Sequence, residues 1–191
     1  TPRIPYPPFR GDKLKIFNLY KILQKQNAVK IITFICKKED FGFLKELRQK
    51  GFDLETIRLP RIISLLNLVR SLLSKNPLQI SYYHSRKMHQ KLKNLTSNEK
   101  YDLIYFHLIN TVQYYKSVEN TDSLRVIDYT DATSLYLTRY IEFLKNPFRK
   151  LIFKWERKRT INYEKKAQMF DTLFVCSQTD RNYLIKNGAH N

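Results

Sequence analysis

Val29-Lys-Ile-Ile-Thr-Phe-Ile-Cys36 is apolar and mostly β-branched from end to end, with one lysine near its start. A strand wet on one face alternates between polar and apolar residues. A run without alternation belongs between two layers, as in the middle of a parallel sheet. The flanks agree. Upstream, Leu14, Phe17, Leu19, Ile22 and Leu23 give residues 13–24 the period of a helix. Downstream, Asp40 is placed to cap a short helix that stops at Gly51, and Leu54-Glu-Thr-Ile-Arg-Leu59 alternates until Pro60 ends it. Residues 62–73 are helical and unusually apolar. A loop over 76–81 then leads to a helix over 82–95 with Met88, Leu92 and Leu95 on one face.

The second half repeats the alternation. Leu103-Ile-Tyr-Phe-His-Leu108 and Arg125-Val-Ile-Asp-Tyr129 read as buried strands, and a helix over 131–144 follows. Pro147 opens a long charged helix to about Met169. Thr172-Leu-Phe-Val-Cys176 is a last strand, and Ser177 or Asp180 caps a short helix near Leu184. The expected class is α/β: a doubly wound, mostly parallel, Rossmann-like sheet covered on both faces, as one domain over residues 1–191. In such folds a strand precedes the first loop and helix. Here only Thr1 to Pro5 does, so the chain reads as beginning just after its first strand. It also stops at Asn187-Gly-Ala-His-Asn191 with no closing helix.

The chain has 191 residues, 42% of them hydrophobic and 14% aromatic, which excludes disorder. Its formal charge is +18, with the cations spread along the whole length. Such a field attracts nucleic acid, anionic lipid or phosphorylated small molecules, and charge alone does not choose among them. Cys36 and Cys176 each lie in an apolar run and read as free buried thiols. No zinc spacing, redox pair, signal peptide or apolar run of roughly 20 residues is present. The usage is that of a cytoplasmic protein, and Thr1-Pro2 looks processed.

Ligands of doubly wound sheets bind at the carboxyl ends of strands, which selects four places. In the opening loop, Gly11 lets a phosphate or carboxylate approach a helix start between Arg10 and Lys13; alternatively it makes a tight turn, with Asp12 as the cap. His107 ends its strand as either a structural residue or a site residue. In Asp128-Tyr-Thr-Asp-Ala-Thr-Ser134 the two aspartates hold a sugar hydroxyl or a metal, or Asp131 caps a helix. Ser177-Gln-Thr-Asp180 is a capped helix start. No dinucleotide fingerprint, lysine-bearing phosphate loop or nucleophile elbow occurs.

Four segments in order resemble the N-terminal domain of glycosyltransferase family 4, the retaining GT-B type, and are most similar to sugar transferases of exopolysaccharide gene clusters. They are Arg3-Ile-Pro-Tyr-Pro-Pro-Phe-Arg-Gly-Asp-Lys-Leu14, Asn76-Pro-Leu-Gln-Ile-Ser-Tyr-Tyr83 with Met88 behind it, Asp128-Tyr-Thr-Asp-Ala-Thr-Ser134 continuing to Arg139, and Phe174-Val-Cys-Ser-Gln-Thr-Asp180. The resemblance implies sugar transfer from a nucleotide-sugar to a lipid-linked or glycan acceptor, with retention and without a metal or other cofactor. It implies candidate catalytic residues His107 and Asp131, and a cleft loop of Arg10, Gly11, Asp12 and Lys13 near the donor diphosphate. Acceptor contacts would be Tyr82, Arg86, Ser134 and Arg139. Many relatives carry two adjacent glycines where this chain has Gly11-Asp12, which weakens the phosphate cradle. The nucleotide-holding glutamates would belong to a C-terminal domain outside this chain, leaving these residues inactive alone.

Related N-terminal domains dock on anionic membranes. By that likeness, residues 61–75 would lie on the inner face of the cytoplasmic membrane through Arg61, Arg70 and Lys75; the alternative is a buried helix or a cover for the sheet. A competing reading is a nucleic-acid-binding α/β module that stacks bases on exposed Tyr82, Tyr83, Tyr114 and Tyr115. No recognition signature supports it, so nucleic acid is not the expected partner.

Overall fold

The computed structural model describes residues 1–189; the tail beyond, read above as lacking a closing helix, lies outside the described residues from His190 on. The chain divides into two compact units, residues 1–65 and 66–191. Every strand pairing among the described residues is parallel, as the alternation predicts. The pairings form two sheets, one in each unit.

In the first unit α1 (Gly11–Leu23) precedes β1 (Ile31–Ile35), and α2 (Asp40–Gln49) connects β1 to β2 (Leu54–Arg58). The strands pair from Ile31 with Leu54 to Ile35 with Arg58. Phe34, Leu47 and Leu59 are fully buried. Phe52 stacks between Phe17 and Tyr20, at 5.1 and 4.1 Å between ring centres. The Tyr20 hydroxyl then closes the α2–β2 turn, accepting from Asp53 N and donating to the carbonyl of Gly51, whose φ of 83° stops α2. At the chain start, Thr1 N donates to Ile32 O and Ile4 is buried, so the opening segment runs beside β1.

α3 (Arg61–Ser71) straddles the boundary between the units. In the second unit α4 (Leu78–Tyr82) and α5 (Arg86–Asn98) precede β3 (Leu103–His107). A 3-10 segment, Ile109–Ser117, leads from β3 toward β4 (Leu124–Thr130). The hairpin of α6 (Thr133–Phe143) and α7 (Pro147–Glu164) follows, then a second 3-10 segment (Lys165–Met169), β5 (Thr172–Val175) and α8 (Gln178–Lys186). β4 lies between β3 and β5 and supplies the centre of the core, with Val126, Ile127, Asp128 and Tyr129 all buried.

Several boundaries differ from the sequence expectation, each for a local reason. Residues 76–81 are not loop throughout: from Leu78 on they are helical. Pro77 sits at the N-cap and Leu78 N donates to Glu156 Oε1 at 2.6 Å, so a turn of helix forms there. The following helix starts at Arg86 rather than at 82, because Ser85 caps it by accepting from Met88 N. Cys176 is exposed rather than buried, following β5 at the edge of its sheet. Cys36 is half-buried, and burial pushes its thiol up to about 11.

The largest departure is α3. Its polar residues Ser64, Asn67 and Ser71 are buried, Ser64 to 1% exposure, while Ile62, Ile63, Leu65, Leu66 and Val69 face outward. Val69 is 65% exposed, and Leu72 and Leu73 just beyond the helix are exposed as well. The helix is amphipathic in the inverse sense: it is not a buried helix, and the face it turns inward is polar. No helix among the described residues is long and apolar enough to cross a membrane.

Candidate functional site

The carboxyl ends of β3 and β4 in the second unit combine backbone strain with buried polar groups. His107 and Asp128 are register partners on the two strands, and both are buried. Directly after His107, Leu108 has φ 69°, and two residues after Asp128, Thr130 has φ 63°. A non-glycine residue in this region is costly and persists only where its surroundings hold it. The holding groups are visible. Leu108 N donates to Asp128 O at 2.7 Å, and Thr111 Oγ1 donates to Leu108 O at 2.8 Å. Asp128 Oδ1 accepts from Thr130 N at 2.8 Å and from its hydroxyl, and Asp128 Oδ2 accepts from the Tyr105 hydroxyl. Burial and that carboxylate push the Tyr105 phenol well above its ordinary range, so it serves as a donor. The β4–β5 register shifts between Asp128 and Thr130, and Thr130 O accepts from Cys176 N.

Asp131 is exposed beyond this bend and does not cap α6. Two carboxylates from far along the chain do that instead. Ala132 N donates to Asp180 Oδ1 at 2.9 Å, and Ser134 N donates to Glu164 Oε1 at 2.9 Å. The Ser134 hydroxyl donates to Glu164 Oε2. Ser134 is thus fully buried against Glu164, whose carboxyl burial pushes up to about 7. Arg139 is exposed on α6. Tyr82 is half-buried at the end of α4, and Arg86 is exposed at the start of α5. This stretch is tied to the segment after β3 through Gln113 Nε2 donating to Ile80 O and the Tyr114 hydroxyl donating to Tyr83 O.

The opening loop belongs to the first unit. Asp12 is not a helix cap. It lies in the first turn of α1, where Oδ2 accepts from Arg3 at 3.0 Å and Oδ1 from Arg10 at 3.3 Å. Arg10 is therefore partly neutralised, and Lys13 Nζ donates to Tyr6 O at 2.8 Å. Burial draws the Lys13 ammonium down, with Asp40 and Asp12 opposing it. Gly11 makes no tight turn. Its backbone is outside the left-handed region, and a methyl group there would meet no atom within 4 Å. Asp40 also fails to cap its helix by a side-chain bond; its Oδ2 folds back to accept from Cys36 N and Lys37 N, both at 2.8 Å, at the end of β1.

Arg61, Arg70 and Lys75 are all exposed around the outward apolar face of α3. Of the four tyrosines read as exposed, Tyr83 and Tyr114 are buried and Tyr82 and Tyr115 half-buried. No group of three or more metal-ligating side chains occurs among the described residues. Sequence reasoning missed Glu164, which lies in a basic helix with no local signal, and the paired strain at Leu108 and Thr130. Comparison with protein-family models, curated proteins and solved structures finds no match.

Proposed function

We propose that this chain is the acceptor side of a retaining sugar transferase of the GT-B type, working at an anionic membrane surface. The observation that carries the reading is the pair of left-handed residues, Leu108 and Thr130, on neighbouring parallel strand ends beside His107 and Asp131. Strain held in place by a buried carboxylate at strand ends is the mark of a site rather than of a core. His107 and Asp131 would face the transferred sugar. Tyr82, Arg86 and Arg139 of the same unit would meet the acceptor. On this reading the nucleotide is gripped by a second domain, and the residues described here bind acceptor without turnover. The outward apolar face of α3, ringed by Arg61, Arg70 and Lys75, supports docking on anionic lipid, where a lipid-linked acceptor is found.

The test is transfer of labelled sugar from a panel of nucleotide-sugars to a membrane lipid extract by the chain in its complete reading frame. Labelled lipid with the anomeric configuration of the donor is expected, and Asp131→Asn is expected to reduce the rate at least tenfold. Failure of every donor to bind or transfer would overturn the reading.

A further inference from the structure

The tip of the α6–α7 hairpin carries apolar side chains that nothing among the described residues covers. Phe143 and Phe148, on either side of the connecting turn, are 82% and 78% exposed. On α7, Leu151, Ile152 and Trp155 continue from Phe148 at helical spacing, so four of these side chains share one outward stripe. No residue over 147–155 is buried, whereas Glu156, Arg159, Thr160, Tyr163 and Glu164 all are. The second half of α7 is anchored in the unit. Glu156 Oε1 accepts from Leu78 N, and Arg159 Nη2 donates to the carbonyls of Ser71 and Ser74. The first half projects, held to α6 by Phe153 against Tyr140.

The charge around this stripe has one sign. Between Glu142 and Glu156 there is no acidic residue, and Lys145, Arg149, Lys150 and Lys154 are interleaved with the aromatic and aliphatic side chains. A protein partner of ordinary surface would leave these cations unmatched next to the contact. An anionic bilayer matches both parts at once: acyl chains take the stripe, headgroups take the cations, and Trp and Phe sit at the boundary. The Arg159 guanidinium lies 4.0 Å from the centre of the Trp155 ring while holding the end of α3. The Trp155 end of the stripe is thereby linked through Arg159 to the backbone that flanks Leu72 and Leu73.

We infer that the α6–α7 hairpin is a second membrane contact, an inserting tip that enters the headgroup region of an anionic bilayer with Phe143, Phe148, Leu151 and Ile152 leading. This rests on the membrane reading of α3. The tip would hold the chain at a fixed orientation, which one helix lying on a surface does not.

Trp155 is the only tryptophan, so its emission reports this stripe alone. The protein is titrated with phosphatidylcholine vesicles with and without phosphatidylglycerol, some carrying brominated acyl chains. Anionic vesicles are expected to shift Trp155 emission to the blue, and brominated lipid to quench it. The Phe143→Ser/Phe148→Ser variant, folded by circular dichroism, is expected to partition at least about tenfold more weakly, because it removes the two most exposed rings of the tip. Sedimentation with anionic vesicles, unchanged Trp155 emission and a variant binding like the parent would overturn the tip and leave α3 docking intact. No binding to any vesicle would remove the membrane reading and the tip with it. Blue-shifted emission that follows protein concentration without lipid would assign the stripe to a second copy and overturn the proposal.

Discussion

Gly11 and Glu164 show how differently two residues of a candidate site are constrained. Nothing in the fold requires a glycine at position 11, where side-chain space is open and the backbone is ordinary. Gly11→Ala, at the first position of α1, is expected to raise thermal stability, by about 0.5–1 kcal/mol. On the transferase reading proposed above, a loop that approaches a phosphate closely would lose transfer activity by the same change; a loss of stability would instead show a turn that needs glycine. Glu164 is constrained on every side. Its folded carboxyl titrates near 7 against 4.5 for the ordinary group, because burial penalises the charge more than the bonds from Ser134 relieve it. The folded state thus binds the proton more tightly. The stability this provides is complete below about pH 4.5 and drains away as pH rises through 7. The swing is on the order of 3 kcal/mol, at about 1.4 kcal/mol per pH unit. Glu164→Gln, which keeps a carbonyl acceptor for Ser134 N, is expected to flatten denaturant midpoints measured between pH 5 and 7.5. An unchanged pH profile would place the titration elsewhere.

Among the elements, α3 is the one whose surface contradicts its composition. If its apolar face serves a membrane and not a core, Leu65→Ser/Val69→Ser should change unfolding free energy by no more than about 0.5 kcal/mol. The same double change should weaken binding to anionic vesicles, and Arg61→Glu/Arg70→Glu should abolish it. A loss of several kcal/mol from the serine pair would mean that the face is packed. The orientation was available in the sequence, since Ser64, Asn67 and Ser71 recur at helical spacing, but a helix so rich in leucine and isoleucine invites assignment of the apolar side to the core. The strands were legible for the opposite reason. Runs such as 103–108 and 125–129 have no polar face to misassign, and the alternation of strands and helices along the rest of the chain makes parallel pairing the expectation. Helix starts were legible where the signal is local, as at Pro147 and Ser177, although the local cap at Ser85 was passed over for a start at 82. Asp131 reads as a possible cap for α6 only because it stands next to the helix, whereas the groups that bind the helix's first amides come 30 and 48 residues later. Sequence spacing carries no sign of a partner at that distance.

At the scale of the whole molecule, the excess of positive charge is patterned around two apolar surfaces. No acid occurs between Glu55 and Glu99, which brackets α3, nor between Glu142 and Glu156, which brackets the hairpin tip. Elsewhere acids are used for building: Asp12 on two arginines, Asp40 on the end of β1, Glu156 on α4, and Glu164 and Asp180 on α6. The alternating pattern that reveals the fold is blind to this use, because each carboxylate binds backbone or side chains at a place no local rule selects. Local opening at the start of α6 is therefore governed from outside the helix. The amides of Ala132 and Ser134 take their partners from α8 and the end of α7, not from their own helix. Each can exchange its hydrogen with water only when that partner lets go. In deuterium exchange, Ala132 would then act as a clock for the departure of Asp180, and Ser134 for that of Glu164, timing two separate openings at the edge of one strand end.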